Sequence, residues 1–163
     1  MKPHYNVLFL CTGNSARSIM AEAIMNFRGA PEFTAYSAGS HPSGKVRPEA
    51  LRQLEVAHIP AGNYRSKSWD EFSKPGAPKI DFVFTVCDGA AKEACPIWPG
   101  HPVTAHWGVP DPAAVRGKAG DVETAFREAF LVLERRINQF LGLPHASMDG
   151  SALKEELEKI GRR

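Results

Sequence analysis

The chain has 163 residues, of which 43% are hydrophobic and 23% charged, the makings of one ordinary globular domain and not of a disordered, collagen-like or fibrous chain. Twenty Lys and Arg against eighteen Asp and Glu leave a formal net charge of +2. That is too small for counterion release from nucleic acid to drive binding, so any anion handled here is small.

No apolar run approaches the roughly 18 residues of a membrane span, and Val7 to Cys11 is shorter than the apolar region of a signal peptide. A cytoplasmic protein working as a monomer is expected, with no nucleic-acid and no membrane partner. Three cysteines, Cys11, Cys87 and Cys95, are too few and odd in number for a secreted disulfide framework. With no C-x-x-C pair, and His106 at no ligand-like spacing, no metal is expected.

Tyr5 to Leu10 reads as a strand, broken by the loop formers Cys11 to Ser15. From Ala16 the pattern turns helical, with Met20, Ala23, Ile24 and Phe27 on one face and Gly29 at the end. Phe33 to Ser37 is a second strand and Ala38 to Gly44 a polar loop. Pro48 then opens a helix with Ala50, Leu51 and Leu54 on one face. Ser73 to Lys79 is a connector to the strand Ile80 to Val86, which ends at Cys87. Gly89 to Ala94 permits a short helix before Cys95, and Pro96, Pro99 and Pro102 prevent a longer one. A brief strand follows at Val103 to His106, with Asp111 and Pro112 in the loop beyond. The longest helix spans Asp121 to Leu141 on a stripe of Val122, Phe126, Ala129, Phe130, Leu133, Ile137 and Phe140, stopped by Gly142 and Pro144. Ser151 is expected to cap a last helix carrying Leu153, Leu157 and Ile160.

Strands alternating with helices predict an α/β fold, a single domain with a four-stranded parallel sheet, helices on both faces and an extra C-terminal helix. Residues 1–142 form the catalytic part and 143–163 a helical extension of it. Ligands in such folds bind beyond the carboxyl ends of the strands, where Cys11, Cys87 and the Asp111 loop all fall.

Cys11 and Arg17 enclose five residues, Thr12, Gly13, Asn14, Ser15 and Ala16, at a strand-to-helix junction. The backbone N–H groups of such a loop converge on one point, backed by the positive end of the helix, and cradle an oxyanion without a metal. Gly13 and Asn14 tolerate the left-handed turns the curl needs. Arg17 offers a tetrahedral oxyanion two parallel hydrogen bonds. The same field is expected to hold Cys11 as a thiolate, and the Ser18 hydroxyl to favour the charged sulfur again.

The run Val7 to Ser18 resembles the low-molecular-weight protein tyrosine phosphatase superfamily, and within it looks most like the arsenate reductases. The resemblance continues through Tyr36 to Gly39, Thr85 to Cys87, Ala94 to Pro96 and His106 to Pro112, covering about residues 5 to 142. It implies a nucleophilic Cys11, an anion loop formed by residues 12 to 17 and Asp111 as general acid. It further implies that Cys87 and Cys95 are the second and third thiols of a relay converting arsenate to arsenite. No bound cofactor is implied; an external dithiol such as thioredoxin, glutaredoxin or a small thiol regenerates the enzyme, and phosphate or sulfate compete for the cradle.

Some relatives bind a monovalent cation beside the loop through residues matching Asn14, Glu22 and Ser37. Lys67 stands at the remaining position, where its ammonium could replace the ion, against the plainer reading of an exposed loop lysine. The rival enzyme is a phosphatase using Cys11, Arg17 and Asp111 alone, although Ala113 and Ala114 stand where phosphatases carry an aromatic wall. The third reading is a non-enzymatic anion or redox sensor. His106 and Trp107 read as packing residues that place the Asp111 loop, and His4, His41, His58, His101 and His145 as surface.

Overall fold

Strand β1 (Tyr5–Cys11) runs through the middle of a parallel sheet ordered β2-β1-β3-β4, with β2 at Phe33–Gly39, β3 at Phe82–Thr85 and β4 at Val103–His106. The computed structural model that shows this describes residues 4–60, 62–87, 98 and 100–162. Among the described residues the α-helices are α1 (Arg17–Gly29), α2 (Pro48–Val56), α3 (Ala119–Leu141) and α4 (Gly150–Gly161). The α/β fold with its added C-terminal helix is therefore as the sequence predicts. The expected helical stretch Gly89 to Ala94, and Cys95 after it, lie outside the described residues.

Alternation along each strand divides the core in two. Val7, Phe9 and Cys11 of β1, with Phe82 and Phe84 of β3, face a large cluster that takes in the buried sides of all four helices. Leu8, Leu10 and Val83 face the other way, beneath Trp69, Phe72, Ile80 and Trp98. β2 runs two residues beyond its predicted end, because Ala38 and Gly39 stay in register with Leu10 and Cys11. β3 is trimmed at both ends to the four residues that pair on both sides.

Three local expectations are corrected. Phe27 is 48% exposed beneath the Arg28 guanidinium, while Met25 and Gly29 take the buried end of α1. Leu51 is 38% exposed, since α2 is short and buries only Ala50, Gln53 and Leu54. Asp149, not Ser151, caps the last helix, its carboxylate accepting from the Ala152 N–H at 2.8 Å; the helix begins one residue after it, at Gly150. Leu153, Leu157 and Ile160 are buried as expected, and at roughly 1.5–3 kcal/mol for each such side chain they are sufficient to seat α4 against β4.

Candidate active site

The turn from β1 into α1 is held open from outside. The loop formed by residues 40–47 donates its N–H groups to the carbonyls of the Cys-x5-Arg loop: Ser40 to Cys11 at 3.3 Å, His41 to Thr12 at 2.9 Å, Ser43 to Gly13 at 3.0 Å and Arg47 to Ser15 at 2.8 Å. The Ser66 hydroxyl adds a second bond to the Gly13 carbonyl at 3.0 Å. Peptide planes are rigid, so carbonyls engaged on the outside turn N–H groups inward. The Asn14 N–H accordingly donates to Cys11 Sγ at 3.2 Å. Asn14 adopts the expected left-handed conformation, at φ 46°. The close approach of the two loops also explains Gly39, where a Cβ would lie 2.5 Å from the Thr12 carbonyl oxygen.

Cys11 is buried at the end of β1, and Ser18 Oγ lies 3.2 Å from its sulfur, as expected. Asn14 Nδ2 donates to that hydroxyl at 2.8 Å, fixing its lone pairs and proton. Cys87, at the end of the neighbouring β3, brings a second sulfur to the same place. Its Sγ accepts from the Thr12 N–H at 3.1 Å and lies 3.5 Å from Thr12 Oγ1. The Cys11 thiol is pushed well up from its ordinary range, first by its hydrogen bond with Cys87 and then by burial, against the opposing pull of Ser18 and Arg17. Ser18 and Arg17 thus pull Cys11 toward the thiolate in the sense the sequence predicts, and Cys87 and burial pull against it.

Arg17, at the first position of α1, turns back over the loop. Its Nη1 donates to the Val109 carbonyl at 2.8 Å, and its Nη2 lies 3.7 Å from Asp111 Oδ1. Asp111 caps a short 3-10 turn (Pro112–Ala114) through the Ala113 N–H at 3.0 Å and stands half exposed. Thr12, Arg17, Cys87, His106, Val109 and Asp111 are among the walls of one open cavity of about 780 Å³. Trp107 is a fully buried packing residue, as read, whereas His106 reaches the cavity and lies 2.7 Å from Thr85 Oγ1. The structure thus brings Cys11, residues 12 to 17, Ser18, Cys87 and Asp111 together, and Cys95 lies outside the described residues.

The profile of the low molecular weight phosphotyrosine protein phosphatases matches residues 6–159. The chain belongs to that family. Among relatives of this phosphatase family, an arsenate reductase of Oceanobacillus iheyensis is 37% identical over 134 residues, covering 82% of this chain and 93% of its own. An arsenate reductase of Bacillus subtilis is 34% identical over the same shares. The crystal structure of an arsenate reductase from Archaeoglobus fulgidus superposes with a TM-score of 0.64 at 28% identity, over 84% of this chain and 99% of that one. Among the described residues of this family member, no helix is long and apolar enough to cross a membrane.

Behind the family's anion loop lies a polar cluster in which Lys67 is buried, not the exposed loop lysine of the plainer reading. Its Nζ donates to the Arg65 carbonyl at 3.1 Å and stands 3.9 Å from Glu22 Oε1, while its backbone N–H donates to Asn14 Oδ1 at 2.9 Å. Ser37 bridges the cluster, accepting from Asn14 Nδ2 at 3.0 Å and donating to Glu22 at 2.5 Å. Burial pushes Glu22 up and Lys67 down, each partly offset by the other's charge. With the Asn14 oxygen already engaged and an ammonium beside Glu22, this donor set does not fit a monovalent cation. Arg136 is a positioning residue that sequence reading missed: it sits in the apolar stripe of α3 and donates to the Gly108 carbonyl at 2.9 Å, in the loop leading to Asp111.

Proposed function

We propose that this protein is an arsenate reductase that converts arsenate to arsenite through its own thiols, in arsenical resistance. The observation that carries the reading is the Cys87 sulfur at the mouth of the anion loop, accepting from the Thr12 N–H at 3.1 Å. A phosphatase needs one sulfur there. A reductase needs two.

Arsenate enters the cradle of residues 12 to 17, with Arg17 gripping two of its oxygens. Cys11, as thiolate, attacks arsenic while Asp111 gives a proton to the departing oxygen, which leaves as water. Ser18 and the Asn14 N–H stabilise the sulfur's charge before attack and after release. Cys87, as thiolate, then attacks Cys11 Sγ. The sulfur–arsenic bond breaks with both electrons going to arsenic, which falls from the +5 to the +3 state and departs as arsenite, leaving a Cys11–Cys87 disulfide. Cys95 attacks Cys87 in turn and frees Cys11. The resulting Cys87–Cys95 disulfide is reduced by an external dithiol, thioredoxin or a protein like it, and no bound cofactor takes part.

The described walls of the cavity carry no Phe, Tyr or Trp that would hold a phosphotyrosine ring. The test is arsenate-dependent oxidation of NADPH through thioredoxin and its reductase. Wild type should turn over, Cys11→Ser should not, and a wild type that hydrolyses phosphate esters but passes no electrons to arsenate overturns the reading.

A further inference from the structure

Nothing in the proposed chemistry uses α4, yet its last turn reaches the active site. Gly161, the final residue of the helix, lines the same cavity as Arg17, Cys87 and Asp111. Its backbone lies flat against the end of β4: a Cβ at this position would collide with the His106 carbonyl oxygen and sit 2.8 Å from Trp107 Cδ1. One turn earlier the Leu157 carbonyl accepts the Trp107 indole N–H at 2.9 Å, and Trp107 is wholly buried, stacked on Phe84 with 3.8 Å between ring centroids. Near its start the helix is tied to the same strand by Lys154, whose Nζ donates to the Thr104 carbonyl at 2.8 Å.

The segment thus gripped is the one that holds the oxyanion-binding arginine. Gly108 is fixed by Arg136 of α3, the Val109 N–H donates to the Val86 carbonyl at 3.0 Å, and the Val109 carbonyl accepts Arg17 Nη1 at 2.8 Å. Two residues on, Asp111 faces the other guanidinium nitrogen of Arg17. From α4 the contacts run without a gap: Leu157 and Gly161 to His106 and Trp107, these through Gly108 to Val109, and Val109 to Arg17.

We propose that α4 is a positioning element of the active site, which sets the Trp107–Val109 segment and through it the aim of Arg17 at the bound oxyanion, with Gly161 as the close-packed point of contact. Gly161 allows the helix to approach β4 until backbone meets backbone; any side chain there would meet the His106 carbonyl oxygen and the Trp107 ring and force the helix and the His106–Trp107 segment apart. The inference rests on the reading that residues 12 to 17 bind a tetrahedral oxyanion, not on which oxyanion is turned over.

The experiment is calorimetric titration of the full-length reduced protein with inorganic phosphate, which reports affinity separately from the fraction of working sites. Gly161→Val should weaken phosphate about tenfold with stoichiometry unchanged, about the loss of one charge-assisted hydrogen bond. Gly161→Ala, the milder variant should Val not fold, should weaken it less and in the same sense. In an Arg17→Lys background neither change should weaken phosphate further, because the element acts through that arginine. A merely structural role would lower the stoichiometry and the melting temperature and leave the affinity alone. Unchanged affinity in a folded Gly161 variant, or a full additional loss on top of Arg17→Lys, overturns the inference. A wild type that binds no phosphate removes the cradle reading and this inference with it, whereas normal phosphate binding without arsenate reduction removes only the reductase reading.

Discussion

The Thr12 N–H donates to Cys87 Sγ at 3.1 Å, so the first amide of the Cys-x5-Arg loop holds the second thiol. This arrangement brings the two sulfurs to one loop, Cys87 on the Thr12 N–H and Cys11 on the Asn14 N–H. Cys87 is the first cause of the raised Cys11 thiol. Cys87→Ala should therefore let Cys11 ionise more readily, moving the midpoint of its alkylation by iodoacetamide to lower pH. The variant should still hydrolyse p-nitrophenyl phosphate but release no arsenite. An alkylation midpoint that stays put would show that Cys87 does not control the nucleophile, and loss of both activities would make Cys87 structural.

Arg17 is shared between the Val109 carbonyl and Asp111, so its guanidinium is aimed before substrate binds. Arg17→Lys keeps the charge and loses the planar fork. With a charge-assisted hydrogen bond contributing about 1.5–3 kcal/mol, kcat/KM for arsenate should fall by about 10- to 100-fold. Steady-state kinetics giving a Lys variant as fast as wild type would show that Arg17 does not hold the oxyanion.

Lys67 and Glu22 sit behind the loop on Asn14 and Ser37. Lys67→Met keeps the bulk and removes the charge that draws Glu22 down. Stranding a buried charge costs roughly 3–5 kcal/mol; here about 1–3 kcal/mol is expected, because Glu22 can take up a proton instead. Glu22 is already raised by burial and would rise further, so the penalty should grow as pH climbs above the ordinary carboxylate range. Urea unfolding at pH 5 and pH 8 measures this. Wild-type stability should be the same in potassium and tetramethylammonium salts, since the cluster supplies its own cation, and potassium dependence would contradict that assignment.

The strand–loop–helix at the heart of the site was legible because its signals are local. The apolar run of β1, the small residues from Thr12 to Ala16 and the helical period after Arg17 each constrain their own neighbourhood. What escaped depends on contacts between distant positions. The burial of Lys67 follows from its meeting Asn14 and Glu22, and the raised Cys11 thiol follows from Cys87, two residues past the end of the next strand. Arg136 reads as a break in an apolar stripe until Gly108 is seen beneath it. The arrival of Gly161 at the cavity requires the packing of α4 along β4, which no residue of α4 declares.

His145, a surface residue by sequence, packs instead among Phe33, Phe82 and Phe140, its Nε2 lying 2.7 Å from the Phe140 carbonyl oxygen. Burial lowers its basicity, opposed by the bond to Phe140 and the charge of Glu32. In the unfolded chain it takes a proton near its ordinary value of about 6.5, whereas the folded protein holds it neutral to lower pH. The unfolded state therefore binds more protons as pH falls through about 6.5, and folding loses stability there. His145→Gln keeps an N–H that can reach the Phe140 carbonyl and removes the titration. Urea unfolding of both proteins at pH 7.5 and 5.5 should show wild type losing more stability than the variant on acidification. An equal loss in the two proteins would mean that His145 takes up its proton as easily folded as unfolded.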